Sequence, residues 1–432
     1  MTSQAQHPGW LTKGYQHMWM PYTQMQTAPM PQAVVATEGT RIKLADGREL
    51  IDGCASWWAA CHGYNHPHIR AEMTRQLETM PHVMLAGLAN EPAFTLATRL
   101  AALAPGDLNR VFFSESGSVS VELALKIAAQ YWHNQGQTKR TKFICFRGGY
   151  HGDTFATMSL CDPKDGFHAA FAGVVPHQII ADLPSTDESE HAFSRLLADH
   201  GADCAAVIVE PLVQGVGGML FHDAATLQRL RRLCDAHGLL LIFDEIFVGL
   251  GRLGAMFACE QADVVPDIMT LSKTITGGTT PLAATIATDR LFDGFLSDKL
   301  EHCLMHGPTF TGNALACSAA NASLDLFERE PRLEQVMSIQ AHLASALEPC
   351  RTVPGVVDVR ARGDIGAVQM DIQAFEELQW LRDRFTELGC WIRPFRNVVY
   401  LTPSYTIGEE DLTRLTDTIC QVVPEWATRF GR

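Results

Sequence analysis

Two short apolar runs in this chain each end in a charged side chain. Leu239-Leu240-Leu241-Ile242-Phe243 leads into Asp244-Glu245, and Ile268-Met269-Thr270-Leu271-Ser272 leads into Lys273. Short apolar runs bounded by turn residues read as strands buried on both faces. Such strands need helices on either side, which restricts the chain to an α/β architecture. The region from about 110 to 290 repeats the pattern, with strands predicted over 110–113, 143–146 and 204–210 and helices over 119–128, 188–198 and 223–237. That order predicts a mostly parallel sheet with right-handed crossovers. Ligands bind such sheets at the carboxyl ends of the strands. Ser118, Tyr150, Glu210, Asp244 and Lys273 all follow predicted strands, which puts five candidate groups on one rim.

A lysine and an aspartate at the carboxyl ends of two strands in one α/β sheet suit the chemistry of pyridoxal phosphate (PLP). The amine links to the aldehyde, and the carboxylate keeps a proton on the pyridine nitrogen so that the ring draws electrons. Ser114-Glu115-Ser116-Gly117-Ser118 opens a helix, which makes either an anion site or an ordinary serine cap. Glycines on both sides of Tyr150-His151 let a ring lie flat against a ligand, or simply make a turn. Gly249-Leu250-Gly251-Arg252-Leu253-Gly254 matches a dinucleotide fingerprint, but two acids precede it and the strand does not run directly into it. Arg252 there suits a surface loop. A dinucleotide-binding oxidoreductase is therefore the remote alternative.

The balance of 34 basic against 48 acidic residues, net −14, argues against nucleic acid and anionic membranes as partners. No run is long enough to span a bilayer, and residues 1–14 lack the apolar core of a signal peptide. Twelve cysteines without a CxxC read as buried thiols in a reducing, cytoplasmic setting. His62, His66 and His68 read as turn and helix-entry residues, so no metal is expected.

Residues 1 to about 40 read as an extended arm whose aromatic residues pack on the body or on a neighbouring subunit. Asp46-Gly47 predicts a hairpin. Of Trp57 and Trp58, one is expected to pack inward and the other to line a pocket. Residues 67–104 read as helical with Gln76, Glu78 and Arg99 on polar faces, and 161–186 as irregular. From about 325 the pattern changes to alternating strands, including 390–395 and 397–403, with helices on one face. The last helix carries a capping box from Thr406 to Glu409. Arg393, among aromatic residues at a strand end, is a candidate for a substrate carboxylate or for a surface ion pair.

The blocks Phe243-Asp244-Glu245, Gly249-Leu250-Gly251-Arg252, Ser272-Lys273 and Gly277-Gly278 resemble the class III PLP-dependent aminotransferases. The resemblance implies the PLP-dependent transferase fold type I. It divides the chain into an arm with part of the small domain (1–60), a large PLP-binding domain (61–325) and a small α+β domain (326–432). It also implies that Lys273 carries the cofactor and moves the proton, and that Asp244 pairs with the pyridine nitrogen. Gly117 and Ser118 would bind the phosphate and Tyr150 would stack on the ring. Pro308 and Thr309 would reach the phosphate of a neighbouring subunit in a homodimer with shared sites. Tyr22, Trp57, Gly307 and Arg393 would contact substrate, and Tyr400 would line the same pocket.

Further runs resemble one branch of that class, including Trp57-Trp58-Ala59-Ala60-Cys61-His62-Gly63-Tyr64, Gly149-Tyr150-His151-Gly152-Asp153 and Trp391-Ile392-Arg393-Pro394-Phe395. They imply S-adenosylmethionine as amino donor and 8-amino-7-oxononanoate as acceptor. A diamine or ω-amino acid transaminase of the same class is the alternative. The chain departs from the class at Val248 and Leu253, where threonines are usual.

Overall fold

The computed structural model describes residues 7–162 and 168–432. Residues 1–6 of the predicted arm and 163–167 of the predicted irregular stretch lie outside them. A seven-stranded sheet runs in the order Leu108–Ser114, Ala283–Thr288, Ile268–Leu271, Leu240–Asp244, Cys204–Val209, Lys142–Phe146, Ile179–Ala181. Neighbours pair in parallel except where Ala283–Thr288 runs against both of its partners.

Alternation along the central strands explains the layering. Ile208, Ile242 and Ile268 point to one face, where Val121, Leu125 and Ile127 of helix Gly117–Asn134 cover them. Val207, Leu241 and Met269 point to the other, where helix Ala224–Ala236 supplies Leu227, Leu230 and Cys234. Each such aliphatic side chain, fully buried, stabilises the fold by about 1.5–3 kcal/mol. Asp223 caps the second helix by accepting the Thr226 N–H at 2.8 Å, as its N-terminal position predicts.

A three-stranded antiparallel sheet, Val356–Arg362, Ile365–Met370 and Val398–Leu401, packs with helices Arg332–Ala346, Phe375–Glu387 and Glu409–Arg429 around a second core that includes Trp426. The predicted hairpin forms as Arg41–Leu44 and Glu49–Asp52. Cys390–Trp391 does not join the three-stranded sheet. It pairs in parallel with Glu49–Asp52, which ties the start of the chain to its end.

Several expectations are corrected. The arm contains a helix, Gly9–Tyr15. The stretch read as irregular holds the edge strand Ile179–Ala181. Residues 67–104 form two helices, Pro67–Thr79 and Glu91–Leu103. Gln76 is buried, because its amide donates to the Met80 carbonyl at 2.8 Å, an acceptor the helix end leaves unpaired. The last helix starts at Glu409 with Gly408 as cap, while the Thr406 hydroxyl pairs instead with that of Ser404 at 2.8 Å. All twelve cysteines are free thiols. Among the described residues no helix is long and apolar enough to cross a membrane.

Candidate active site

The register of the two central strands sets the site. Asp244 is paired with Thr270, three residues before Lys273, so carboxylate and amine emerge side by side from one sheet edge. Lys273 has φ 43°, a left-handed conformation that costs a non-glycine residue about 1–2 kcal/mol. Its ammonium lies 5.1 Å from the Trp58 ring and 5.8 Å from the Phe247 ring. Burial lowers its pKa to about 8, although Asp244 and Glu210 pull the other way. A neutral amine is thus accessible near neutral pH, as a nucleophile or proton carrier requires.

Asp244 is buried and accepts from His151 Nδ1 at 2.7 Å and from the Ile246 N–H at 3.1 Å. The buried Nε2 of His151 has no partner. Glu210 accepts the N–H groups of Tyr150 and Gly215, each at 2.9 Å, and desolvation raises its pKa to about 7. Ser116 caps helix Gly117–Asn134, and Ser118 in its first turn accepts the Asp153 N–H at 3.1 Å. A Cβ on Gly152 would collide with Ser118, so the two loops close on each other only through that glycine.

Beside this rim stands an aromatic wall. Residues 55–58 form a left-handed turn, with φ of 44°, 51°, 65° and 76° at Ala55, Ser56, Trp57 and Trp58. The turn throws the two tryptophans apart. Trp58 is 4% exposed and Trp57 is 49% exposed. Trp57 meets Tyr22 edge-on at 6.1 Å, and the Arg393 guanidinium lies 5.8 Å from its ring. Tyr22 donates to Asp153 at 2.5 Å, and Tyr150 donates to the same oxygen at 2.9 Å. Tyr400 is buried behind Trp58 and accepts from its indole N–H at 3.2 Å. Gly278, with φ +75°, presses against Ala59 and Ala60, which follow this turn. A Cβ there would lie 2.8 Å from the Ala60 nitrogen.

The structure therefore brings together Ser118, Tyr150, Asp244 and Lys273, and sets Tyr22, Trp57 and Arg393 beside them, with Tyr22 and Tyr150 meeting at Asp153 Oδ1. Gly307, Pro308 and Thr309 follow His306, which lies 3.1 Å from Lys126 of the helix that carries Ser118, and precede Thr311, whose hydroxyl donates to the Phe113 carbonyl. They sit on a segment in which Gly307 and Thr309 are exposed, tethered by Lys126 to the Met305 carbonyl at 2.7 Å.

Arg252 is the clearest misreading. It is not on a surface loop but 1% exposed, paired with Asp364 at 2.5 Å and donating to the carbonyls of Phe247 and Trp58, each at 2.6 Å. Three acceptors satisfy the guanidinium, which is why it tolerates burial. Val248 and Leu253, in the places of the usual threonines, are buried apolar core. His151 and Asp153 were missed, although they flank Gly152 just after Tyr150 in the run already singled out.

These donors match one kind of ligand. A hydroxyl and a helix N-terminus suit a phosphate. Tyr150 offers a ring, Asp244 an anion for a protonated ring nitrogen, and Lys273 an amine for an aldehyde. The unpartnered His151 nitrogen and the glycine-dependent closure at Ser118 belong to the same cradle. The residues fit PLP.

Comparison with known proteins gives a consistent picture. Residues 22–423 match the family model "Aminotransferase class-III". An adenosylmethionine-8-amino-7-oxononanoate aminotransferase from Buchnera aphidicola is 41% identical over 419 residues, covering 94% of this chain and 95% of the relative. The crystal structure of the enzyme of that name from Methanocaldococcus jannaschii superposes with a TM-score of 0.91 at 30% identity, covering 96% of this chain and 98% of that one. An amine transaminase from an uncultivated Pseudomonas species, in its PLP-bound form, superposes with a TM-score of 0.86 at 29% identity over 94% of this chain and 98% of its own. Strand-end lysine and aspartate, the phosphate-type cradle and the family match over nearly the whole chain agree that this protein belongs to the class-III aminotransferases.

Proposed function

We propose that the chain transfers an amino group from S-adenosylmethionine to 8-amino-7-oxononanoate, giving 7,8-diaminononanoate, a step of biotin biosynthesis. The cofactor is PLP, which when bound supplies an electron sink for the carbon bearing the transferred amine. Asp244, oriented by His151, would keep a proton on the ring nitrogen. Ser118 and the Gly117 end of its helix would hold the phosphate, and Tyr150 would cover the ring. Lys273 would hold the aldehyde, and as a neutral amine it would take a proton from the substrate carbon and return it at the neighbouring position.

The observation that carries the substrate assignment is the wall itself. Trp57 and Tyr22 offer π faces to a sulfonium, and Arg393 beside Trp57 offers a fork to a carboxylate. Tyr400 shapes the wall from behind by fixing Trp58. Gly307, Pro308 and Thr309, of which Gly307 and Thr309 are exposed in their own chain, serve the partner's site in a homodimer. The arm (1–60), large domain (61–325) and small domain (326–432) then meet at one cleft. Free cysteines suit a reducing cytoplasm.

The test is a half-reaction screen on the purified holoenzyme. S-adenosylmethionine should discharge the visible absorbance of the bound cofactor, and 8-amino-7-oxononanoate should restore it. Discharge by diamines or ω-amino acids with no response to S-adenosylmethionine would assign the chain to another transaminase of the class. Mixing Lys273→Ala with Thr309→Ala protein should regain part of the activity if the sites are shared.

A further inference from the structure

The two tryptophans of the wall stand on four consecutive left-handed residues, none of them glycine. Something must hold that turn against the pull of ordinary backbone. The group in position to do so is Asp52, 2% exposed, at the end of strand Glu49–Asp52. Its Oδ1 accepts the Cys54 N–H at 2.8 Å. Its Oδ2 accepts the Ser56 N–H at 2.7 Å and the Tyr64 hydroxyl at 2.6 Å. Every lone-pair direction used points to a donor that fixes the entry to the turn.

The same strand end also fixes the other half of the wall. Asp52 pairs with Trp391, and the Gly53 N–H donates to the Trp391 carbonyl at 3.0 Å. Two residues beyond Trp391 comes Arg393, whose guanidinium lies 5.8 Å from Trp57. Trp57 and Arg393 therefore both follow one parallel-paired strand end and leave it in the same chain direction from a common anchor.

We infer that Asp52 is a positioning residue for substrate specificity: its carboxylate sets the left-handed turn that holds Trp57 against Arg393. A neutral amide could not substitute, since Asn offers one acceptor oxygen where three donors converge on two. The inference rests on the wall's being the substrate face, as proposed above. It adds a residue that touches neither substrate nor cofactor.

The experiment is Asp52→Asn in the holoenzyme, read in three ways. KM for the carboxylate-bearing acceptor should rise roughly 10-fold or more, the usual effect of losing a charge-assisted hydrogen bond. Meanwhile kcat should change less than about threefold and the cofactor absorbance should stay, because Lys273 and Asp244 are untouched. Amide hydrogen exchange at Cys54 and Ser56 should quicken by about 10-fold relative to the wild type. If the variant does not fold, Tyr64→Phe removes one donor, leaves the carboxylate, and should show the same pattern at about threefold. In whichever variant folds, an unchanged KM, or a fall in kcat and cofactor absorbance alongside the change in KM, would overturn the inference. If wild-type protein transfers no amino group to the acceptor, the functional reading falls. The exchange rates at Cys54 and Ser56 still decide whether Asp52 holds the turn.

Discussion

The two sides of the cleft are built in different ways. The proposed cofactor side comes from the ends of two parallel neighbours in the central sheet, where hydrogen-bond register alone puts Asp244 beside Lys273. The proposed substrate side comes from Tyr22, Trp57 and Arg393, drawn from three distant segments and held by side-chain contacts and a left-handed turn. The first side is rigid because the sheet is. The second is as rigid as its tertiary anchors. That difference suits a class in which one cofactor chemistry serves many amines: the substrate wall can change without disturbing the strand ends.

If this division holds, variants on the two sides should fail differently. The largest effect is expected from Lys273→Ala, which should lower turnover at saturating substrate by on the order of 10^4-fold, the upper range for a lost acid–base group. A variant that still exchanged amino groups at the native rate would break the assignment of the cofactor side. Next comes the joint between the sides, where Arg252 grips Phe247 of one and Trp58 of the other. Asp364→Ala leaves that guanidinium buried without its counter-ion, and should cost about 3–5 kcal/mol of stability in a urea titration.

On the substrate side, Arg393→Ala should raise KM for the acceptor by roughly 10–100-fold with little change in kcat, and Arg393→Lys should recover only part of it. Asp244→Asn should do the reverse, lowering kcat with KM nearly kept. The smallest effect is a pH shift. In cofactor-free protein, modification of Lys273 by an amine-reactive reagent should rise through a midpoint near pH 8. The sign follows for stability too. Folding lowers this pKa from an unfolded value of about 10.4, so the cost of burying the ammonium is fully present below pH 8. It fades as pH climbs through that window, and stability of the cofactor-free protein should rise with it.

The same contrast decides what could be read from the amino acids alone. The strand ends were legible because each is a local signal: an apolar run, then a polar residue. The edge strand Ile179–Ala181 escaped because it is short and half-buried, with little hydrophobic contrast. Arg252 was misread because nothing near it in sequence reveals Asp364, 112 positions away, or the Trp58 carbonyl. Gln76 looked like surface for a similar reason: the acceptor it satisfies exists only once the helix ends at Thr79. The turn at 55–58 carries no glycine to announce it. Its conformation is imposed by Asp52 and Tyr64, not by local preference.

Gly278 links the lysine loop to Ala59 and Ala60, next to the tryptophan turn, with no side chain between them, backbone against backbone. Neither segment can therefore drift alone over evolutionary time. A lengthened loop at one would have to be matched by an accommodating change at the other. Laboratory diversification of substrate range should accordingly succeed more often at Tyr22 and Arg393 than by remodelling residues 55–60.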